Sequence, residues 1–226
     1  MKKHFLTAIA LACACTASFA APSFGDDHTG GFLVYGVGGT SGVGLGIGTQ
    51  ISKNFAVRAE STRLNANINK NVSNLDFSGE VKAGSDGIYA DYHPFDGAFR
   101  LTGGVLTKAP SGTLTADPTG GGVTIGGTYY PVDIGERVIA KVKYPSTMPY
   151  VGIGWGFTEL DKPGVKFGFD IGAGIGKPTA SQDATPLLKS MPNAEANIRK
   201  EEVKLNDKLG KIGVFPMLKL SVGYAF

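Results

Sequence analysis

Ten side chains with chemistry to offer stand at alternate positions of short apolar stretches: Arg58 and Glu60; Tyr89, Asp91 and His93; Arg100; Tyr150; Lys166 and Asp170; and Lys219. A spacing of two, or a multiple of two, puts such residues on one face of a β-strand. Four cations, three carboxylates and one histidine on such faces are suited to ion pairing or to holding a charged solute. Covalent catalysis would want a nucleophile, a histidine and an orienting acid within reach of one another. The chain has no Gly-x-Ser-x-Gly elbow, and His28 lies in a polar lead-in while His93 ends a strand. No enzyme is expected. No metal or cofactor is expected either, because Cys13 and Cys15 both lie in an amino-terminal apolar run and the histidines lack ligand spacing. Gly36-Val-Gly-Gly-Thr-Ser41 lacks the Gly-Lys-Ser/Thr of a phosphate loop.

The elements that must position these residues are strands. Eight alternating segments can be read: Phe32 to Gly39, Val43 to Ile51, Phe55 to about Glu60, a strand ending at His93, Phe99 to Leu106, Tyr150 to Phe157, Val165 to Ile175 and Leu218 to Phe226. Each of the seven after the first sets an apolar face against a polar or glycine face. Leu218, Leu220, Val222, Tyr224 and Phe226 oppose Lys219, Ser221, Gly223 and Ala225; Val43, Leu45 and Ile47 oppose Gly44, Gly46 and Gly48. Charges on the inner face and apolar residues on the outer face are the pattern of a barrel whose outside meets lipid. Short turns follow strands two, four and six; long segments, 109–147 and 177–211 the longest, follow strands three, five and seven. The fold class expected is therefore all-β: an eight-stranded antiparallel transmembrane β-barrel with short periplasmic turns and long external loops. Phe55, Phe95, Phe99, Phe157, Phe167, Tyr224 and Phe226 fall near the expected periplasmic ends, where an aromatic girdle belongs.

In the connections, residues 65–76 read as an Asn-rich loop. Val123 to Tyr130 reads as a small hairpin turning at Gly126-Gly127. Val138 to Tyr144 reads as a strand, so that strands five and six extend beyond the bilayer. Residues 177–211 hold one helix candidate, capped by Asn193, with Ala194, Ile198, Leu205 and Leu209 on one face and Gly210 as its stop.

The two ends agree with export to the outer membrane. Lys2 and Lys3 precede an uncharged apolar run from Phe5 to Ala20, and Ser18-Phe19-Ala20 supplies small residues for a cut before Ala21. The expected domains are a signal peptide, 1–20, and a barrel, 21–226. Loss of the signal removes Lys2 and Lys3 and no acid, taking the formal charge from +3 to +1, which argues against a nucleic-acid partner. Tyr224 and the terminal Phe226 resemble the assembly signal by which outer-membrane proteins engage the barrel-assembly machinery. A monomer in outer-membrane lipid is expected.

From Tyr89 onward the chain resembles the CarO family of Acinetobacter-type outer-membrane proteins. The residues that carry the resemblance are Tyr89-Ala-Asp-Tyr-His-Pro94, Val123-Thr-Ile-Gly-Gly-Thr-Tyr-Tyr130, Met148-Pro-Tyr-Val-Gly-Ile-Gly-Trp-Gly156, Gly172-Ala-Gly-Ile-Gly-Lys-Pro178, Ser181-Gln-Asp-Ala184 and Glu195-Ala-Asn-Ile-Arg199. The chain ends on Phe226 where such relatives have Trp. The resemblance implies an eight-stranded, nearly closed barrel and passage of small basic amino acids such as ornithine. Two readings of the lumen-facing set follow. In one, absent glycine side chains leave a polar path whose carboxylates, Glu60, Asp91 and Asp170, hold a cationic solute. In the other, paired charges fill a barrel barely wide enough for its own side chains, and any function lies in the external loops. A soluble lipocalin-like barrel is a third reading; a continuous outer band through Val165, Phe167, Phe169 and Ile171 excludes it.

Overall fold

A computed structural model describes residues 30–72, 75–108, 110–118, 121–132 and 135–226. The expected signal peptide and His28 lie outside the described residues. In chain order the elements are β1 (Phe32–Gly39), β2 (Gly42–Ser52), β3 (Phe55–Arg63), β4 (Asn65–Val72), β5 (Leu75–Lys82), β6 (Asp86–Tyr92) and β7 (Phe99–Thr107). There follow β8 (Ser111–Pro118), β9 (Val123–Ile125), β10 (Thr128–Tyr130), β11 (Val138–Lys143), β12 (Thr147–Gly156) and β13 (Gly164–Ile175). The chain closes with β14 (Thr179–Ala184), α1 (Pro186–Ser190), α2 (Ala194–Leu209) and β15 (Val214–Ala225).

Eight antiparallel strands close a barrel in the order β1-β15-β13-β12-β7-β6-β3-β2. Closure pairs the first strand with the last, Leu33 opposite Ala225 and Gly39 opposite Lys219, so no edge is left open. The period of two decides what faces where. On β2, Val43, Leu45 and Ile47 are exposed on the outside while Gly46 and Gly48 are buried within. On β13, Val165, Phe167 and Ile171 are exposed and Phe169 is half-buried; across the ladder they meet Tyr224, Val222, Leu218 and Leu220 of β15. This outer surface is a continuous apolar band, the feature that the sequence reading set against a soluble lipocalin-like barrel. Around the short-turn end runs a chain of ring contacts: Phe95–Phe99 at 6.0 Å, Phe99–Trp155 at 5.6 Å and Trp155–Phe169 at 5.9 Å between centroids. Phe55–Tyr92 and Tyr224–Phe226 add pairs at 4.8 and 5.0 Å.

The long connections are not loops. Five neighbouring barrel strands continue past the rim as a second sheet, β14-β11-β8-β5-β4, in the same lateral order. Ser61 faces Asp86 at the end of β3–β6, and Asn65 faces Lys82 where β4–β5 begins, with no slip between. Thr62 and Ser85 exchange backbone hydrogen bonds across the junction at 2.8 and 3.1 Å. The same continuity joins β6–β7 to β5–β8 and β7–β12 to β8–β11; from β12–β13 to β11–β14 the register slips by two. The expected extension of strands five and six is thus present and wider than expected. Within the expected loop 65–76, residues 65–72 and 75–76 correct the sequence reading, since they form β4 and the start of β5. Alternating Asn with Ala, Ile and Lys offers no apolar face to read, and the pairing is inherited from the β3–β6 ladder below it.

The β9–β10 hairpin turns at Gly126-Gly127 as expected. With α1 and α2 it encloses a small core of Val123, Ile125, Tyr130, Val132, Ala184, Leu188, Ala194 and Ile198. Residues 177–211 hold β14 and α1 besides the expected helix. Asn193 does precede α2, but in the left-handed conformation (φ 60°), and its side chain caps nothing. Instead its carbonyl accepts the Asn197 N–H at 3.0 Å.

Candidate functional site

The barrel interior gathers nine of the ten expected site residues. Arg58, Tyr89, Asp91, Arg100, Tyr150, Asp170 and Lys219 are each at most 1% exposed; Glu60 is 5% and His93 6% exposed. Alternation on β3 aims Arg58 and Glu60 inward, β6 aims Tyr89 and Asp91, β7 aims Arg100, β13 aims Asp170 and β15 aims Lys219. Register then brings them together: Asp91 stands opposite Thr102, Gly154 lies between Arg100 and Asp170, and Asp170 stands opposite Lys219.

Each buried charge finds its opposite. Arg58 binds Asp91 through Nε, and through Nη2 at 3.0 Å. Its Nη2 also reaches Asp170 Oδ1 at 3.3 Å. Arg100 donates through Nη2 to the same oxygen at 2.7 Å and through Nη1 to the Gly156 carbonyl at 2.6 Å. Thr102 Oγ1 donates to Asp91 Oδ1 at 2.7 Å. Lys219 Nζ reaches both Glu60 oxygens, at 3.1 and 3.3 Å, and Tyr35 Oη donates to Glu60 Oε2 at 3.4 Å. Three cations meet three carboxylates, so the network is neutral as a set. Neutrality matters because an isolated charge in such a site costs several kcal/mol.

Aromatic rings wall the charges in. The Arg58 guanidinium lies 5.4 Å from the Tyr89 centroid and 5.5 Å from that of Phe157; Arg100 lies 5.0 Å from Phe157; Lys219 Nζ lies 4.2 Å from Tyr89. Towards the short-turn end, Leu33, Tyr35, Phe157, Leu160 and Ala225 cluster. Towards the end that carries the second sheet, Tyr89, Leu106, Met148, Tyr150 and Met217 cluster, with Tyr144 and Phe215 packed against them. The charge network therefore sits between two apolar layers. A cavity of about 240 Å³ opens at the short-turn mouth, and buried Ala56, His93 and Phe157 are part of its wall. None of the six paired charges lines it.

The glycines of the inner face are not empty space. A Cβ on Gly46 would come within 2.2 Å of the Tyr35 ring, one on Gly87 within 2.3 Å of Tyr89 Oη, and one on Gly172 within 2.2 Å of Tyr150 Oη. On Gly168 it would meet the Phe157 ring at 2.8 Å. The missing side chains make room for large rings from the same strand or its neighbour.

Two sequence expectations need correction. Phe157 was expected outside, sharing a face with Trp155. Gly156 and Phe157 both take positive φ (93° and 56°), which breaks the alternation and turns the ring inward. Lys166 lies on the expected face but stays at the short-turn mouth, where Nζ donates to the Glu159 carbonyl at 2.8 Å, outside the ion-pair network. His93 reaches the interior, yet its ties are to a turn: its backbone exchanges contacts with Asn54 at 2.7 and 2.8 Å. Sequence reasoning missed Tyr35. Leu33, Tyr35 and Val37 alternate with Phe32, Val34 and Gly36, so no polar face marked which way β1 looks. Thr102 was legible as the polar neighbour of Arg100.

This arrangement defines a class: a closed eight-stranded antiparallel barrel with a charge-filled interior. No family model matches the chain, and no curated protein matches it. Among solved structures, that of Acinetobacter baumannii CarO2 is similar at a TM-score of 0.60 and 15% identity, covering 88% of this chain and 99% of that one. Acinetobacter baumannii CarO is similar at 0.55 and 15%, covering 86% and 97%. At this identity the likeness is one of fold, and the chain has the fold of a CarO-type eight-stranded barrel.

Proposed function

We propose that this chain is an exported outer-membrane barrel, porin-like in build, whose lumen is held shut by its own paired charges. The observation that carries the reading is the neutral network of Arg58, Arg100 and Lys219 with Glu60, Asp91 and Asp170, buried between apolar layers. The apolar outer band and the aromatic girdle support a bilayer setting, with the short turns in the periplasm and the second sheet outside. The exposed outer face of β15, ending in Tyr224 and Phe226, is what assembly machinery would grip. In this reading the work is structural or is done at the cell surface by the five-stranded sheet and its helices.

One observation favours a second reading, passage of small solutes such as basic amino acids. The plug is made of carboxylates held by guanidinium and ammonium groups, the chemistry with which an arginine or ornithine side chain would compete. Swelling of liposomes bearing the folded protein separates the two. Closed barrels leave arginine, ornithine and a neutral sugar of similar size equally excluded. Selective entry of the basic amino acids, abolished by Asp170→Asn, would establish passage and sink the closed reading.

A further inference from the structure

Where the barrel passes into the second sheet, its outer face changes chemistry row by row. Register sets Ala59, Ile88 and Val105 side by side as the last apolar row on β3, β6 and β7. The next row outward is Ser61, Asp86 and Thr107. Two residues further Arg63 follows on β3, and two more bring Asn65, Lys82 and Ser111 level with one another on β4, β5 and β8. Successive rows stand about 7 Å apart along the strands.

A cleft of about 410 Å³ opens here, with Arg63, Asn65, Lys82, Lys108 and Ser111 in its wall. Three of these are cations, and among the described residues no carboxylate lines it. Lys108 is present because the strand breaks. Unbroken alternation would put it on the inner face, two residues after buried Leu106; its φ of 74° ends β7 and leaves it exposed on the same cleft as Arg63. The ion pairs beside the cleft are Arg63–Asp86 at 2.5 Å and Lys82–Glu80 at 3.0 Å; Lys108 has no such partner among the described residues. Arg63 also donates to the Thr62 carbonyl at 2.7 Å and to Asp86 Oδ2 at 3.2 Å, so its fork is fixed with two of its five N–H groups left over. Three cations against Asp86 and Glu80 leave this rim positive.

We propose that this cleft binds the phosphate-bearing sugar headgroup of an outer-leaflet lipid. The proposal rests on the outer-membrane reading, which sets this rim at the outer leaflet. Arg63, Lys82 and Lys108 take the phosphate through charge-assisted hydrogen bonds. Asn65 and Ser111 offer partners to sugar hydroxyls. Asp86 holds the Arg63 fork towards the apolar row, and the two lysines supply the charge that outweighs it. A lipid is favoured over free phosphate by what lies directly below: Ile88 is 65% and Val105 44% exposed, where acyl chains would pack. Basic side chains beside a bilayer each add attraction for an anionic headgroup. The cleft exceeds a lone phosphate ion and admits a phosphorylated sugar.

The probe is lipid A, a phosphorylated and acylated disaccharide, added to the full chain folded in neutral micelles at fixed ionic strength. Native mass spectrometry counts the lipid bound. One lipid per barrel is expected at this site. Lys82→Gln and Lys108→Gln should each weaken it about fivefold, and the two together about 25-fold. Lys200→Gln with Lys204→Gln, both exposed on α2, removes the same charge and should leave binding unchanged. Lipid A stripped of its phosphates should bind the parent no better than the Lys82, Lys108 double variant does. Unheated gel mobility verifies that each variant is a folded barrel, and insertion into neutral liposomes is checked separately. A barrel that inserts but ignores lipid A sinks this proposal alone; one that stays out of bilayers sinks the outer-membrane reading with it. Equal loss in the α2 control, binding undiminished in the double variant, or displacement of the lipid by an equal concentration of inorganic phosphate would also overturn the proposal.

Discussion

Replacing Asp170 by Asn is the perturbation whose size separates a plugged lumen from a wet one. Asp170 is 1% exposed, and its Oδ1 serves both Arg100, at 2.7 Å, and Arg58, at 3.3 Å. The amide keeps the shape and removes the charge, leaving two guanidinium groups to share Asp91. Removing one partner of a buried pair costs about 3–5 kcal/mol, because the other charge is left uncompensated. The same change in a hydrated lumen would resemble an exposed pair, worth about 0.2–1 kcal/mol. For a chain of this size the larger figure lowers Tm by roughly 6–20 °C. Urea unfolding in micelles can be followed by the fluorescence of Trp155, the one tryptophan, which sits on the outer band away from the plug. Asp86→Asn is the internal reference: it breaks the exposed Arg63–Asp86 pair, 2.5 Å long, and should cost less than about 1 kcal/mol. Combining Asp170→Asn with Arg100→Gln restores neutrality, so the double variant should be less damaged than the summed singles by about 0.5–3 kcal/mol. An Asp170→Asn protein within about 1 kcal/mol of the parent would refute the reasoning, since it would place that carboxylate in water.

Two further outcomes follow from the same geometry. Gly172→Ala forces a Cβ to within 2.2 Å of Tyr150 Oη and should destabilise the barrel by about 1–3 kcal/mol, while Gly103→Ala, with nothing within 4 Å, should stay within about 0.5 kcal/mol; urea unfolding reads both. Asn206→Ala strips the Ala180 N–H and carbonyl of their partner, at a local cost of about 1–3 kcal/mol. Hydrogen exchange should quicken at Ala180 with the Trp155 unfolding transition unmoved.

The barrel was legible because every one of its strands but β1 reports two environments in alternation. Val43, Leu45 and Ile47 against glycines, or Leu218 to Phe226 against Lys219, leave little choice of register or facing. The second sheet was less legible, since both faces of β4 and β5 carry Asn, Ser and charges, and a strand without an apolar face looks like a loop. Its pairing comes from long-range continuity with strands below it, which no local pattern records. At the site, parity put the six paired charges on the inner face, with Lys166 besides, but did not name their partners. Phe157 escaped because two successive positive φ values reverse the side-chain direction, and Tyr35 because β1 is apolar on both faces. The glycines were ambiguous in the sequence for a physical reason: a missing side chain reads the same whether it leaves a path or makes room for a ring from the same or the next strand.

Single-channel recording tests the closed lumen most directly. The folded chain is inserted into a planar bilayer, and insertion is verified by protease protection of the spanning strands. The account predicts a silent bilayer for the parent and intermittent openings for Asp170→Asn, whose unbalanced plug no longer holds. Steady, defined openings of the parent protein would contradict it, because the account holds the lumen shut with the paired Arg58, Arg100 and Asp170.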